Sequence, residues 1–360
     1  MLEFIASHIL ESIGIVFLAT FVLTYYMIPK IINVVNHKKL MDFPNQRSSH
    51  IHLTPTFGGV SFFITLVLTL LLIQELDNNN LSLNFIAGLT ILLFTGLKDD
   101  LVVISPQSKL LGQLLAISVF LFNSEMYKIN LYGLFGVYET GMILGILITV
   151  FIMIAIINAF NLIDGIDGLA AAIGITSLSI FTVIFYFLQD YYLSLICISL
   201  IGSLMAFLRY NLSSKKKIFM GDTGSLIIGF VISAMTLKFL TLDIKSLNTL
   251  LFIPQNSIFI VSSILIFPLF DTIRVLIVRF IKKKNLFLSD KNHTHHALLN
   301  LGNSHIKSSF LISIVSLISS LILIYLSIKI DNTWILVGIF ALTFILFFGI
   351  FYKSTFKETQ

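Results

Sequence analysis

Long stretches without a single charge run through this chain, and they restrict its fold more than any other feature. Ser12 to Pro29, Gly168 to Gln189, Tyr191 to Leu208 and Thr333 to Tyr352 each approach the ~20 apolar residues that a helix needs to cross a hydrocarbon layer. A buried soluble core does not call for so many. Of the 360 residues, 57% are hydrophobic and 11% charged, with a mean hydropathy of +0.98; soluble domains carry about a quarter charged residues. The sequence therefore predicts an all-α polytopic integral membrane protein, a single domain over residues 1–360.

Apolar runs between polar breaks place eleven spans, centred near residues 20, 66, 90, 116, 150, 179, 200, 231, 265, 319 and 343. The third, Leu83 to Leu97, is short and holds two glycines. The connecting loops then alternate between two faces, and one face receives 19 of the 23 Lys and Arg residues. Lys128, Lys238, Lys245 and Lys329 fall on the other. The excess of positive charge marks the crowded face as cytoplasmic and puts the N-terminus outside. The net charge of +5 is thus a matter of orientation, with attraction to anionic lipid as a secondary effect and no nucleic acid implied. The first thirty residues hold Glu3 and Glu11 but no Lys or Arg before Lys30, so no cleavable signal peptide is expected. Cys197 lies inside an apolar run; a lone cysteine excludes an internal disulfide and reads as a small apolar filler.

Every polar cluster able to carry chemistry falls on the basic face: Met41 to His50, Lys98 to Asp100, Asn158 to Gly168, Met220 to Ser225 and Asp290 to His296. Asp99 and Asp100 end an apolar span, which makes them either a solvated helix terminus or a seat for a hard cation and phosphate groups. Asn158, Asn161, Asp164 and Asp167 are spaced by three, which would stack them on one helical face. The interleaved Gly165 and Gly168 favour instead a turn with free amides for a base or phosphate. Asp222 stands between Gly221 and Gly224 ahead of an apolar run, as an ordinary helix cap or as a ligand for Mg²⁺ bridging a pyrophosphate. His293, His295 and His296 share their loop with four lysines, a setting that suits an anion better than zinc.

Taken in order, these five clusters resemble the polyprenyl-phosphate N-acetylhexosamine-1-phosphate transferases, the glycosyltransferase 4 group that includes the WecA, TagO and MraY types. The similarity runs from about Lys38 to Gly302. It implies transfer of an N-acetylhexosamine 1-phosphate, GlcNAc-1-phosphate by preference, from a UDP-sugar to undecaprenyl phosphate, releasing UMP. It implies a bacterial inner-membrane enzyme dependent on Mg²⁺, with Mn²⁺ as a substitute, and a homodimer as a candidate assembly. By the same resemblance Asp99 and Asp100 are the acidic pair near the acceptor phosphate, and Asp222 is the metal ligand together with Asp99. Phe219 matches an aromatic that stacks on uracil. Gly165, Ile166 and Asp167 match the uracil-reading turn, with Asn158, Asn161 and Asp164 in the same motif. Lys109 matches a basic residue near the phosphates, and the three histidines match the family's histidine loop.

The first loop, with Arg47 and His50 in DFPNQRSSH, resembles the simple-sugar branch more than the MurNAc-pentapeptide branch. Two positions depart from the family's pattern: Ser48 stands where a Lys is usual, and Lys291 where an Arg is common, losing the bidentate fork. The phospho-MurNAc-pentapeptide transferase of peptidoglycan synthesis is the alternative within the enzyme class. A transporter is the alternative outside it, but its polar groups belong near the midplane of the bilayer, whereas these collect at one end. Asp271 and Arg274 come nearest to an intramembrane pair, either structural or substrate-related.

Overall fold

The computed structural model describes residues 8–38, 41–42, 54–77, 81–122, 124–134, 136–281, 283, 294, 298–299, 302 and 304–356. Thirteen helices carry the described chain: α1 (Ile9–Lys38), α2 (Gly59–Leu72), α3 (Leu81–Leu101), α4 (Pro106–Leu121), α5 (Met142–Ile163), α6 (Leu169–Phe187), α7 (Tyr191–Asn211), α8 (Gly221–Leu240), the short α9 (Ile244–Thr249), α10 (Ser257–Ile264), α11 (Ile266–Ile281), α12 (His305–Lys329) and α13 (Thr333–Phe356). Two small antiparallel pairs, β1 (Met41–Asp42) with β2 (Thr54–Pro55) and β3 (Asn130–Leu134) with β4 (Val137–Glu139), are the described sheet structure. The all-α polytopic architecture expected from the sequence is the one observed.

Among the described residues, seven helices (α1, α3, α5, α6, α7, α8 and α12) are long and apolar enough to cross a membrane, or eight if a bent pair counts as one span, so the expected count of eleven is not confirmed. Every expected centre except that at 265 still falls within a helix. However, the 14 residues of α2 reach only ~21 Å, short of the ~30 Å hydrocarbon core, and α4 has 16 residues. The expected span at 265 sits on a break where two helical segments meet at 75°. Pro268 explains it: the ring has no N–H to give Ile264 and crowds that carbonyl, so the helix cannot run through Leu265.

Helix α8 is the axis of the molecule. It is apolar on every side and almost wholly buried, as such a pattern requires, and it packs on α2, α3, α5, α6 and α10. Small residues let the backbones approach where α8 begins. A Cβ on Gly59 would lie 2.2 Å from the Gly224 nitrogen, and one on Gly96 would lie 2.4 Å from the Thr223 Cα. The two glycines that made α3 look weak in the sequence are therefore contact points: Gly96 meets Thr223, and Gly88 meets the Phe230 ring. One turn of packing deeper, Phe85, Phe120 and Phe230 form an edge-to-face cluster joining α3, α4 and α8, with ring centroids 4.8, 5.2 and 6.0 Å apart.

Pro29 interrupts the hydrogen-bond ladder of α1 and leaves the Tyr25 carbonyl without its usual partner. The Tyr210 hydroxyl on α7 donates to that carbonyl at 2.9 Å, which ties the long first helix to the bundle.

Candidate active site

Two antiparallel helices build the floor of the site. Lys109 and Gln113 lie one turn apart on α4, and Asn161 and Asn158 lie nearly one turn apart on α5. They meet as rungs. The Lys109 ammonium donates to Asn161 Oδ1 at 3.0 Å, while Gln113 and Asn158 exchange amide hydrogen bonds at 3.0 and 3.2 Å. The α4 helix opens on a Ser105 cap followed by Pro106, which fixes where this face begins.

Lys109 is the hub. Its Nζ lies 3.1 Å from Asp99 Oδ2 at the end of α3 and 2.9 Å from Asp222 Oδ2 in the first turn of α8. With Asn161 this uses all three of its donors. The side chains are mostly covered, 15% exposed for Lys109 and 9% for Asp99, whereas Asp222 keeps 29%. Asp222 is thus the carboxylate that faces the opening. Asn161 Nδ2 donates both to Asp222 Oδ1 and, at 2.9 Å, to Ser225 Oγ, so the second oxygen of Asp222 is oriented as well. Asp99 is held at its other end by the Ile104 amide, 2.9 Å from Oδ1.

Asp100, adjacent in sequence, does something different. Its Oδ1 accepts from the Asp222 amide at 2.7 Å, and its Oδ2 accepts from the Thr223 amide at 3.2 Å and the Thr223 hydroxyl at 2.7 Å. The first amides of α8 have no carbonyl partner of their own and carry the positive end of the helix dipole. Asp100 supplies the missing acceptor from another helix. Gly221, at φ +74°, allows the approach, since a Cβ there would lie 2.6 Å from an Asp100 oxygen. Neither Asp222 nor Ser225 is the cap of α8; that work falls to Asp100.

The polar series from Asn158 to Asp167 divides in two instead of sharing one helical face. Asn158 and Asn161 are on α5, which ends at Ile163, and Asp164 begins a turn closed by Gly168 at φ +80°. The backbone needs glycine there because a side chain is strained at that angle. Asn211, at the end of α7, accepts from the Gly168 amide at 2.6 Å and donates to the Ile218 carbonyl at 2.8 Å, joining this turn to the strand of chain that leads to Phe219. Burial of its carboxyl, with the charges of Asp222, Asp100 and Asp167, holds Asp164 well above the ordinary carboxylate range. Ile166 is buried in the turn.

Asp167 faces a second set of partners. Burial alone would raise its pKa, but His305, with Nδ1 3.2 Å away, and the Lys217 ammonium, which donates to it at 2.7 Å, outweigh this and lower it. Its carbonyl accepts from Ser309 of α12 at 2.6 Å. The Lys217 ammonium also lies 5.2 Å from the centre of the Phe219 ring. Because the folded pKa lies below the unfolded one, Asp167 contributes stability above about pH 4 that is lost as pH falls through the lower folded value. Thermal unfolding followed from pH 6 to pH 3 should fall more steeply for the wild type than for Asp167→Asn.

Asp99, Lys109, Asn161 and Asp222 are therefore brought together, Asp100 and Asp164 stand beside them, and Asp167 and Phe219 form a neighbouring group. Asn158 supports the floor through Gln113. Arg47, His50, His293, His295 and His296 lie outside the described residues. Sequence reasoning missed Gln113, Thr223, Ser225 and His305. For Gln113 there was a signal, a polar residue one helical turn from Lys109 in an otherwise apolar stretch. Asp271 accepts at Oδ1 from the Thr294 amide at 2.8 Å and the Thr294 hydroxyl at 2.5 Å.

Among the described residues, four carboxyl groups (Asp99, Asp100, Asp164 and Asp222) stand around the one ammonium of Lys109. Asp99 and Asp222 are themselves within hydrogen-bonding reach of each other. Among the described residues, no three His, Cys, Asp or Glu side chains are gathered as a metal cage. The arrangement suits Mg²⁺, which is held by one or two carboxylates and completed by phosphates and water.

The profile of glycosyl transferase family 4 matches residues 82–240, from α3 to the end of α8. That stretch contains the whole lysine-centred cluster. A Bacillus subtilis protein named probable undecaprenyl-phosphate N-acetylglucosaminyl 1-phosphate transferase is 33% identical over 282 residues, covering 78% of this chain and 75% of the relative. The chain belongs to glycosyl transferase family 4. Other members of the family are similar along more of its length. The undecaprenyl-phosphate alpha-N-acetylglucosaminyl 1-phosphate transferase of Yersinia pestis is 28% identical over 316 residues, 86% of this chain and 83% of that one. The decaprenyl-phosphate N-acetylglucosaminephosphotransferase of Mycobacterium tuberculosis is 28% identical over 319 residues, 82% and 78% of the two chains.

Proposed function

We propose that this family 4 protein transfers N-acetylglucosamine 1-phosphate from UDP-N-acetylglucosamine to undecaprenyl phosphate, giving undecaprenyl-diphospho-N-acetylglucosamine and UMP. The observation that carries the reading is the cluster of Asp99, Asp222 and Asn161 around Lys109, inside the stretch matched by the family profile. The names of the relatives support the sugar and the polyprenyl acceptor. The protein would work in a bacterial cytoplasmic membrane with this end of the bundle inside, as the distribution of Lys and Arg suggests.

In the reaction an oxygen of the lipid phosphate attacks the sugar-bearing phosphorus of the nucleotide. A new P–O bond forms there, the bond from that phosphorus to the oxygen shared with UMP breaks, and UMP leaves with the bond electrons. Bringing two anions together is the obstacle. A phosphate monoester has its second pKa near 6 and is mostly dianionic at neutral pH, so it needs no activation to be a nucleophile. Both oxygens of Asp99 are already bound, to Lys109 and to the Ile104 amide. Those of Asp100 are bound to α8. Such carboxylates are poor nucleophiles, which favours direct displacement over a phospho-sugar enzyme. Asp99 and Asp222 would hold Mg²⁺, which neutralises pyrophosphate charge and stabilises the leaving UMP when bound. Lys109 adds charge beside them, Asp100 fixes Asp222 by anchoring its helix, and Phe219 with the Gly165–Asp167 turn would receive the uracil.

The test is UMP release by purified protein with undecaprenyl phosphate, comparing UDP-N-acetylglucosamine, UDP-N-acetylgalactosamine and UDP-MurNAc-pentapeptide with and without Mg²⁺. Mg²⁺-dependent release with the first is expected. Release with the pentapeptide substrate alone would move the protein to the peptidoglycan branch.

Thr294, which stands between His293 and His295 in the sequence, is itself fastened to α11 by its bonds to the buried Asp271. Asp271→Ala should lower kcat at least tenfold, and Asp271→Asn, which keeps one acceptor oxygen, should lose less. Equal loss in both variants would argue that the anchor is not what matters there.

A further inference from the structure

A cavity of about 480 Å³ opens at the same end of the bundle as the lysine-centred cluster but on its flank. It is lined by Pro29, Ile32, Asn33 and Asn36 of α1, by Thr54 and Pro55, and by Ser214, Lys215, Lys216 and Lys217. Among the described residues, no acidic side chain lines it. Lys217 is engaged with Asp167, while Lys215 and Lys216 are exposed, and their amides both donate to Ser213 Oγ at 3.2 Å.

The helix that forms the other wall says what kind of anion belongs here. Tyr26, Pro29, Asn33 and Asn36 follow one another at helical spacing, so they share one stripe of α1. Tyr26 is 66% exposed on the outer surface of a helix long enough to cross the membrane. Above it on this outward surface come Val22, Leu18 and Ile15, also exposed. The stripe therefore passes from aliphatic to aromatic to amide side chains. This is the order of a lipid-facing surface that crosses from acyl chain through the interfacial belt to the headgroup layer. At its polar end stand the lysines. Basic pockets at the ends of spans recognise anionic headgroups, each Lys adding attraction that a free anion in water also feels but an acyl chain does not.

We propose that this pocket binds the phosphate headgroup of an anionic phospholipid, with Lys215 and Lys216 neutralising the phosphate, Asn33 and Asn36 donating to it, and the acyl chains lying along α1. The site is separate from the transfer reaction and stands whether or not the proposed substrates are right. Lys217 lines the pocket and also holds Asp167, so headgroup occupancy is one residue away from the Gly165–Asp167 turn.

The experiment is equilibrium binding of a fluorescent short-chain phosphatidylglycerol to the detergent-solubilised full-length protein. Saturable binding is expected, weakened at least tenfold by Lys215→Gln/Lys216→Gln and severalfold by Asn33→Leu. Lys128→Gln/Lys245→Gln, which removes the same charge from the other end of the molecule, should change it less than twofold. Short-chain phosphatidylcholine and inorganic phosphate should compete only at concentrations far above that of the unlabelled phosphatidylglycerol, and UMP not at all. The proposal falls if the two double variants weaken binding equally, because the attraction is then diffuse. It also falls if phosphatidylcholine competes as well as phosphatidylglycerol, if inorganic phosphate does so, or if UMP displaces the probe. Those outcomes would make the cavity an apolar groove, a free-phosphate site or part of the nucleotide site, respectively.

Discussion

Replacing Asp222 by Asn should lower UMP release about a thousandfold, on the order of 4 kcal/mol in the barrier, while the protein still folds. Asn is nearly the same size and keeps one oxygen for Lys109 or Asn161, so the packing of α8 against α2 and α3 is preserved. What disappears is a negative charge on the member of the cluster that is most open to solvent. That carboxylate is the one a divalent cation can reach without displacing a buried group, so its loss should remove the response to Mg²⁺ as well as the rate. The measurement is UMP release against Mg²⁺ concentration. A variant that regained full rate at high Mg²⁺ would show that Asp222 helps binding of the cation but is not needed once it is bound. A variant with the wild-type rate at every concentration would remove Asp222 from the site. Asp100→Asn provides the contrast. It leaves Asp222 chemically intact but weakens the acceptor for the first amides of α8, so its loss should come with lowered thermal stability.

The fold could be read from the sequence to the extent that membrane crossing depends on apolar length. The runs around α1, α5, α6, α7 and α12 have that length. It says less where a helix is short and rests on other protein along much of its length. Seven of the 14 residues of α2 are buried, among them Gly59, which touches Gly224 at the start of α8. No apolar count distinguishes a helix of that sort from a truncated span. The break at Leu265 was legible in principle, since Pro268 stands inside the expected span, but hydropathy alone passes over it. Within the site, residue types and order pointed to Asp99, Asn161 and Asp222 because charged or amide groups are rare in such a chain, and the resemblance to the family added Lys109. What the sequence could not supply was the division of labour. Asp99 and Asp100 are adjacent, but successive side chains on a helix point about 100° apart. One therefore reaches Lys109 on α4, and the other reaches the amides of α8. The turn after α5 was similarly half-visible. Its glycines announced a bend, but that Asp167 would leave the lysine cluster for Lys217 and His305 depends on α12, more than a hundred residues downstream.

Lys109→Met should cost at least a hundredfold in rate, and it separates two roles that the geometry combines. All three donors of the ammonium are used, on Asp99, Asp222 and Asn161. Methionine fills a similar volume and leaves two adjoining carboxylates with no shared counter-ion. Removing one partner from a largely covered ion pair costs on the order of 3 kcal/mol, lessened here because Asp222 is partly open to water. Without Mg²⁺ the variant should therefore unfold several degrees below the wild type. Adding Mg²⁺ should raise its midpoint more than it raises that of the wild type, because a divalent cation then meets two carboxylates that no ammonium neutralises. The rate decides what else the lysine does. If its work is only to hold the two carboxylates together, Mg²⁺ that restores the midpoint restores turnover with it. If the ammonium also meets phosphate charge as the bond to UMP breaks, turnover stays low at saturating Mg²⁺ while the midpoint recovers. The second outcome is expected, since an ammonium 15% exposed beside the most open carboxylate of the cluster stands within reach of a bound pyrophosphate.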